Sequence, residues 1–226
     1  ALNRKKNCTM KLSKILILWT SVTAGALCAS EAPWFEMSGE KLAQKHPQMT
    51  RVLKETGTRV IACDGKTTCF QAPQAANLPE KFTWAVWFRP EVQPGNGTIL
   101  CKTGYHHMLR VNKRGQFGLI YYLASNKIQY LFPEPLPADQ WYFGVLVCDG
   151  ERLSLYINGE KVAQQKLSEK LKNLNSHYFF AAPAPNADPA DHFKGDLDYI
   201  RIWNTALNPQ EIMDLFLEEE GRYIKK

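Results

Sequence analysis

Residues 82–88 read Phe-Thr-Trp-Ala-Val-Trp-Phe, which places bulky apolar side chains on both alternating faces of the stretch if it is extended. A strand that is apolar on both faces is typical of the middle of a packed sheet, where neither face meets water. Residues 82–88 therefore predict a central strand and a sheet-based core.

Turn dipeptides separate this stretch from further short runs of β-branched and aromatic residues. Asp64-Gly65, Asp149-Gly150 and Asn158-Gly159 tolerate the positive φ of tight hairpins, and residues 112–115 and 125–126 carry similar turn residues. Extended runs joined by such turns favour consecutive antiparallel hairpins. We predict an all-β chain built from many antiparallel strands.

The end of the chain adds one more strand, over residues 196–203, and then a short helix. Asn208 provides the N-cap of this helix, Pro209 its first position, and Glu211 completes a capping box. Gly221 is expected to end it. One apolar face of the helix carries Ile212, Leu215 and Phe216.

The first thirty residues have the order of an export signal. A short basic stretch after Met10 precedes an apolar run over residues 15–22 and small residues up to Ser30. This order predicts a secretory signal peptide over residues 10–30, and the apolar run is too short for a transmembrane anchor. We expect residues 1–9 to be a start-site artefact. Cys28 leaves a lipoprotein alternative open.

The mature chain is then expected to be secreted, periplasmic or at the cell surface. Residues 31–57 predict a polar lead-in with one helix over residues 47–55, which begins at Pro47. Residues 58–217 are expected to form one β domain, and residues 218–226 a charged tail.

The net charge excludes one class of partner. Five of the 28 basic residues and no acidic residue lie before Glu31, so 23 basic groups face 22 acidic ones in the mature chain. A nearly neutral chain lacks the basic excess that binding to nucleic acid or to an anionic membrane requires. Neither partner is expected.

Four cysteines remain after the leader, an even number that predicts disulfides in an oxidising compartment. Three pairings are possible. We favour Cys63 with Cys69, which flank a tight turn, and this leaves Cys101 with Cys148.

Three segments in this order resemble the laminin G-like, concanavalin A-like jelly rolls that also include the pentraxins. They are residues 64–65 shortly before residues 82–88, residues 141–159, and residues 195–203 with residues 206–212 behind them. The resemblance covers roughly residues 58–217. It implies a two-sheet antiparallel jelly-roll sandwich with Trp87, Trp141 and Trp203 at core positions, often a bound calcium ion, and commonly a glycan or protein ligand.

Asp198 is the first candidate site residue. Regular strand alternation would put it on the same face as Ile200 and Ile202, and a carboxylate on an apolar face needs hydrogen-bond donors or a metal. Two alternatives stay open. Backbone or arginine donors could meet Asp198, or it could bind a structural Ca²⁺ ion with further oxygen ligands such as Asp196 and Asp64.

The sequence does not indicate an enzyme. A glucanase of this fold carries Glu-x-Asp-x-x-Glu on one strand, and no such run occurs. Residues 218–220 are three glutamates, which we expect to be solvated at the end of the helix. His106 and His107 are adjacent, so a strand would send their rings to opposite faces and away from a shared metal.

Aromatic rings could instead form a platform for a sugar. Tyr105, Tyr121, Tyr122 and Tyr130 are the candidates, although most of the 6 Trp, 9 Tyr and 11 Phe residues must fill the core. A loop rich in Pro, Ala, Asn and Asp over residues 181–191 could add Asn186 and Asp188, because binding residues favour loops on a rigid scaffold.

These observations predict a secreted, non-catalytic recognition module for a glycan or an extracellular protein, with calcium as a stabilising ion. One alternative is a structural domain of a cell-surface or envelope assembly that binds no small ligand. The other is a glycoside-active enzyme, which would need two carboxylates about 5–10 Å apart in a cleft.

Overall fold

The computed structural model describes residues 32–102 and 105–224 and confirms the predicted all-β sandwich of two antiparallel sheets. Residues 1–31, which include the expected signal peptide and Cys28, lie outside the described residues. The described strands are β1 (Phe35–Met37), β2 (Thr50–Val52), β3 (Arg59–Asp64), β4 (Phe70–Gln71), β5 (Phe82–Pro90), β6 (Gly97–Lys102), β7 (His107–Val111), β8 (Phe117–Tyr122), β9 (Ile128–Leu131), β10 (Tyr142–Cys148), β11 (Arg152–Ile157), β12 (Glu160–Lys166), β13 (Tyr178–Phe180) and β14 (Lys194–Trp203). The described α-helices are α1 (Gly39–Ala43) and α2 (Pro209–Glu219), and short 3-10 helices span Pro47–Met49, Pro189–Asp191 and Glu220–Arg222.

The strands form a large and a small sheet. The large sheet has the order β12-β11-β10-β5-β14-β3-β2, with β1 also paired to β14, and the small sheet has the order β4-β13-β6-β7-β8-β9. Strand β5 lies between β10 and β14, which confirms the central position predicted for residues 82–88.

The bulky side chains on the two faces of β5 are buried in two different apolar layers. Trp84 and Phe88 point into the main core between the two sheets, whereas Trp87 points to the outer face of the large sheet. On that outer face the Trp87 ring stacks on Tyr223 with the ring centroids 4.3 Å apart. Helix α2 and the residues after it cover this side of the large sheet.

Helix α2 has the predicted capping box, in which the Asn208 side chain accepts from the backbone N–H of Glu211 while the Glu211 side chain accepts from the Asn208 N–H. The expectation that all three C-terminal glutamates are solvated is wrong for Glu219. Its carboxylate is buried and accepts hydrogen bonds from Arg201 at 2.5 Å and from the Trp87 indole at 2.7 Å. The last turn of the helix packs on the large sheet, so Glu219 and Tyr223, which belong to the segment predicted as a charged tail, are buried.

The helix predicted over residues 47–55 is wrong. A 3-10 turn over Pro47–Met49 leads directly into β2, which pairs with β3 with Thr50 opposite Ile61. The backbone hydrogen bonds of an available sheet edge outweigh a weak local helical pattern here. The helix of this region is α1, where a Cβ at Gly39 would lie 2.4 Å from the Arg59 carbonyl oxygen, so only glycine fits.

Helix α1 contacts β2, β3 and β14, and α2 contacts β12. All of these strands belong to the large sheet, so the outer face of the small sheet carries neither α-helix. Among residues 32–102 and 105–224, no helix is both long enough and apolar enough to cross a bilayer.

Candidate ligand-binding face

Asp198 faces the side of the large sheet opposite to the one predicted. Tyr199 adopts a φ of 41°, and the register of β14 against β5 shifts between Asp198 and Arg201. This bulge inserts an extra residue, so Leu197 and Ile200 both point into the core between the sheets. Regular alternation therefore fails at this one position, and Asp198 does not share a face with Ile200.

Protein donors meet both oxygens of the Asp198 carboxylate. Oδ1 accepts from the backbone N–H groups of Gly39 at 2.8 Å and Tyr199 at 2.9 Å, and Oδ2 accepts from the Tyr223 hydroxyl at 2.8 Å. Of the two alternatives left open by the sequence, the structure shows backbone and side-chain donors around this residue. Asp198 thereby joins α1 and the C-terminal segment to β14.

Asp196 is fully buried, and its carboxylate forms ion pairs with two arginines. Nε and Nη2 of Arg51 lie 2.7 Å and 2.5 Å from its two oxygens, and the guanidinium of Arg89 lies 2.6 Å from Oδ2. These contacts satisfy the charge with protein cations.

The carboxylate of Asp64 stabilises the turn that follows β3. Its oxygens accept from the backbone N–H groups of Lys66, Thr67 and Thr68 and from both threonine hydroxyls. Burial alone would raise the pKa of Asp64, but the hydrogen bonds from Thr67, Thr68 and Lys66 outweigh it and hold the pKa well below its ordinary value.

Each of the three carboxylates predicted as calcium ligands already accepts hydrogen bonds from neighbouring protein groups. Within the described ranges, no three His, Cys, Asp or Glu side chains converge in a way that could hold a metal ion. Asp64, Asp196 and Asp198 therefore do not fit a shared Ca²⁺ site, and calcium binding by this chain stays a prediction.

The predicted cysteine pairs do not form in the structure, where Cys63, Cys69, Cys101 and Cys148 are all free. Cys148 points into the core between the sheets, whereas Cys101 lies on the outer face of the small sheet. Cys63 likewise belongs to the central core and Cys69 packs against the outer cluster. Each predicted pair is thus divided between two different apolar layers.

One of the four candidate tyrosines belongs to the core. Tyr121 is 1% exposed and packs between the two sheets, so it is not available to a ligand. Burial also raises the pKa of its hydroxyl.

The other three tyrosines lie along the outer side of the small sheet or at its margin. Tyr130 on β9 is 60% exposed and Tyr105 is 39% exposed. Tyr122 on β8 is half-buried and packs against the ring of His106 at 5.0 Å between centroids. Strand pairing places Tyr122 opposite Ile128 and Tyr130 opposite Ile120, so these four side chains share one face.

This surface continues across the whole sheet as a single row of paired residues, which we call the outer row. Its members, in order from β4 to β9, are Gln71, Phe179, Cys101, Met108, Ile120 and Tyr130. The outer row is buried at Phe179, Cys101 and Met108 and becomes open at Tyr130. We call the outer row together with Arg110, Tyr122 and Ile128 the ligand face.

Arg110 lies on the ligand face because it is two residues from Met108 on β7. It is 6% exposed, its Nη2 atom lies 3.0 Å from the sulfur of Met108, and its Nε atom has no hydrogen-bond partner. The residue opposite on β8 is Gly118. Burial lowers the pKa of Arg110 below its ordinary value. The charges of Asp191, Cys101 and Tyr130 act in the opposite direction but do not outweigh burial.

Two loops border the buried half of the ligand face. Burial raises the pKa of Cys101 to about 12, whereas a hydrogen bond from the Tyr105 backbone and the charge of Arg110 lower it. Burial, followed by the charges of Asp191, Cys101 and Asp188, raises the pKa of Tyr105. The 3-10 turn over Pro189–Asp191 contacts β6, the strand that carries Cys101, and residues 105–106 follow that strand in the chain.

The predicted loop over residues 181–191 ends in this turn. The exposed Asp188 caps its 3-10 turn by accepting from the Ala190 N–H at 2.8 Å, and Asn186 is also exposed two residues earlier. His107 instead points into the sandwich, where its Nε2 lies 2.7 Å from the Lys172 carbonyl oxygen and burial lowers its pKa to about 4.

Sequence reasoning missed Arg110. The available signal is an arginine inside the apolar strand His-Met-Leu-Arg-Val over residues 107–111. A strand pattern cannot show whether such an arginine finds a carboxylate, because that depends on residues from other strands and loops.

Comparison with known proteins identifies relatives of this fold. A family model described as concanavalin A-like lectin/glucanases superfamily, of the laminin G kind, matches residues 64–213. No curated protein sequence matches the chain.

Among solved structures, the binding domain of Paraclostridial Mosquitocidal Protein 1 is similar at a TM-score of 0.61 and 16% identity, over 74% of this chain and 45% of that one. Domain 4 of AbnA, an extracellular arabinanase from Geobacillus stearothermophilus, solved with arabinotriose, gives a TM-score of 0.57 and 17% identity over 74% of this chain and 79% of that one. The ligand-binding domain of botulinum neurotoxin serotype D, solved with N-acetylneuraminic acid, gives a TM-score of 0.57 and 15% identity over 82% of this chain and 46% of that one. The chain spans less than half of the two toxin structures. At these identities the likeness shows the fold.

Proposed function

The chain belongs to the concanavalin A-like lectin/glucanase superfamily, and from this premise we propose that it is a non-catalytic recognition module that binds a saccharide on the ligand face. The observation that carries the proposal is the exposed aromatic margin of the small sheet. Tyr130 is 60% exposed on a strand whose backbone is paired to β8.

A ring in this setting suits a sugar. Tyrosine offers a large, flat apolar surface that loses little side-chain freedom on binding, together with a polar hydroxyl. The paired strands fix Tyr122, Ile128 and Tyr130 relative to one another before a ligand arrives, which lowers the entropy cost of binding. The half-buried Tyr122 and the exposed Ile128 widen the apolar surface beside Tyr130.

Structures of the same fold support a saccharide as the ligand. Domain 4 of AbnA was solved in complex with arabinotriose, and the serotype D toxin domain in complex with N-acetylneuraminic acid. We propose the same class of ligand for this chain.

We propose binding without catalysis because the strongest carboxylate candidates are neutralised by neighbours. Asp196 pairs with Arg51 and Arg89, and both Glu36 and Glu219 pair with Arg201. A glycosidase needs one free carboxylate and one protonated carboxyl on either side of the scissile bond, and a carboxylate held in an ion pair by arginine is not free for either role.

We further propose that the chain acts outside the cytoplasm, at the cell surface, in the periplasm or as a secreted protein. The order of basic, apolar and small residues over residues 10–30 supports export. Mass spectrometry of the protein from its native host tests this proposal, and the expected N-terminus lies near Glu31.

The first testable prediction concerns Tyr130. Replacing it with alanine should reduce saccharide binding about tenfold or more, because one aromatic contact surface is lost at an otherwise intact face. A glycan array followed by isothermal titration with the best-binding saccharide measures the effect.

Leu217→Ala is the matched control, because Leu217 is an apolar side chain of similar exposure, 56%, on α2 at the opposite side of the sandwich. It should leave binding unchanged. Equal binding by the Tyr130 variant and the parent protein, or an array without any bound saccharide, would contradict the proposed function.

A further inference from the structure

Arg110 is a buried cation for which the described chain provides no carboxylate partner. Its side chain is 6% exposed, its Nε atom has no hydrogen-bond partner, and one amino group contacts the sulfur of Met108. A thioether sulfur is a weak acceptor. The guanidinium therefore lacks a strong acceptor on the ligand face.

Arg201, a buried arginine of similar exposure, differs from Arg110 because it has acidic partners. Arg201 is 7% exposed, and its guanidinium lies 2.8 Å from Glu36 and 2.5 Å from Glu219. The partly exposed Arg51 and Arg89 share the buried carboxylate of Asp196. The chain thus pairs these three arginines with acids, and Arg110 stands apart from them.

An unpaired buried arginine is costly to keep. Arginine does not lose its proton in a folded protein, so burial cannot be relieved by neutralisation, and an uncompensated buried charge destabilises the folded state. Buried groups without partners are therefore candidates for binding a ligand group that is absent from the free protein.

The surroundings of Arg110 indicate from which side a partner arrives. Arg110 on β7 and Tyr130 on β9 lie on the same face of the small sheet, with only β8 between their strands. Both ends of the outer row are exposed, at Gln71 on β4 and at Tyr130 on β9, but the buried Phe179 and Cys101 lie between Gln71 and the strand of Arg110. A ligand that covers Tyr130 can therefore extend a charged group toward Arg110.

We propose that Arg110 binds the carboxylate of an acidic saccharide on the ligand face. This inference rests on the proposed saccharide-binding function and names the class of saccharide. The planar fork of a guanidinium matches a carboxylate with two parallel hydrogen bonds. Nε, which has no partner, and Nη2, which contacts only a weak sulfur acceptor, are adjacent donors in that fork.

Asp191 lies near Arg110, because its neighbour His192 pairs with Thr98 and Thr98 pairs with Arg110. Its charge raises the pKa of Arg110. Its negative charge repels an incoming carboxylate. Asp191→Asn should consequently strengthen binding of an acidic saccharide.

The test compares two saccharide pairs that differ in a carboxylate. Sialyllactose is compared with lactose, and tri-galacturonate with the same trimer after reduction of its carboxyl groups to alcohols. We expect the acidic member of at least one pair to bind the parent protein about tenfold to a hundredfold more tightly, the range for a hydrogen-bonded charge pair. Arg110→Gln should abolish that difference, and Asp191→Asn should increase it.

Thermal unfolding separates ligand binding from a structural role. Arg110→Met fills similar space without a charge, and its melting temperature should equal or exceed that of the parent protein. A large drop in melting temperature would show that Arg110 stabilises the fold and would overturn the inference, as would an acidic preference that survives in Arg110→Gln.

The two proposals fail differently in this experiment. Equal binding of acidic and neutral members, with loss of both in Tyr130→Ala, would leave the saccharide-binding function standing and would refute the role of Arg110. Absence of binding to either pair and to a broad glycan array would refute both.

Discussion

A single backbone angle at Tyr199 decides which groups meet the buried carboxylate of Asp198. The positive φ of Tyr199 creates the bulge that turns Asp198 toward Gly39 and Tyr223. Burial raises the pKa of Asp198 above its ordinary value of 3.8, although the hydrogen bonds from Gly39, Tyr223 and Tyr199 lower it.

This pKa predicts a pH dependence of stability. Because the folded pKa is raised, the folded state holds the Asp198 proton more tightly than the unfolded state does. The stability from that proton is fully present below the ordinary pKa and is lost as the pH rises through the raised folded pKa. The difference in unfolding free energy between the parent protein and Asp198→Asn should therefore decrease from about pH 3 to about pH 7 in urea titrations.

Asp64→Asn serves as the control with the opposite sign. Because the folded pKa of Asp64 is lowered, its contribution is present above the ordinary pKa and is lost as the pH falls. A difference for Asp198→Asn that instead grows with pH would contradict the assignment of desolvation as the dominant effect.

At this scale the sequence could indicate that the Asp198 carboxylate needs hydrogen-bond donors or a metal, but not which groups contact it. A carboxylate within an apolar strand is visible in the sequence. The bulge at Tyr199 is not, because it arises where β14 changes register against β5. The same holds for Arg110, whose lack of an acid partner depends on strands and loops far apart in the sequence.

At the scale of elements, α2 and the residues after it are attached to the large sheet by the ion pair of Glu219 with Arg201 and by two rings, Phe216 and Tyr223, that stack on Trp87. Arg201 bridges Glu36 near α1 and Glu219 in the last turn of α2. Tyr223, directly beyond the helix, stacks on Trp87. Strand β1 and the end of α2 are therefore linked through Arg201 at the outer face of the large sheet.

We predict that Glu219→Gln destabilises the protein by about 3 kcal/mol, because removal of one partner leaves part of a buried charge unpaired. The midpoint of urea unfolding measures the effect. Glu218→Gln is the matched control, since the neighbouring glutamate is exposed, and it should change stability by no more than about 0.5 kcal/mol. Equal effects of the two variants would contradict the role assigned to Glu219.

Elements with a strong local pattern in the sequence could be predicted, whereas the short strand β2, which depends on pairing with a neighbour, could not. The capping box of α2 is encoded within four residues, from Asn208 to Glu211, and the structure confirms it. Strand β2 has three residues and depends on its partner β3. A local pattern starting at Pro47 predicted a helix there because the sequence does not show that a sheet edge is available.

At the scale of the whole molecule, alternation and turn residues predicted many antiparallel strands, and the family resemblance implied their arrangement in two sheets. Neither showed which tyrosines reach solvent. Tyr121 and Tyr122 are adjacent, and one lies in the core while the other lies on the ligand face. Their assignment requires the order of strands in the small sheet. The division of the four cysteines between separate apolar layers is also a property of the assembled sheets.

The central claim is that the outer side of the small sheet binds the ligand. Backbone amide NMR spectra of the ¹⁵N-labelled protein, recorded during titration with the best-binding saccharide from the array, test it most directly. The largest shifts should fall in residues 105–110, 118–122 and 128–131 and in the turn over residues 188–191. Shifts concentrated instead on α2 and β12, or at the apolar cavity of about 300 Å³ that Pro133, Leu136 and Val162 help to line, would contradict it.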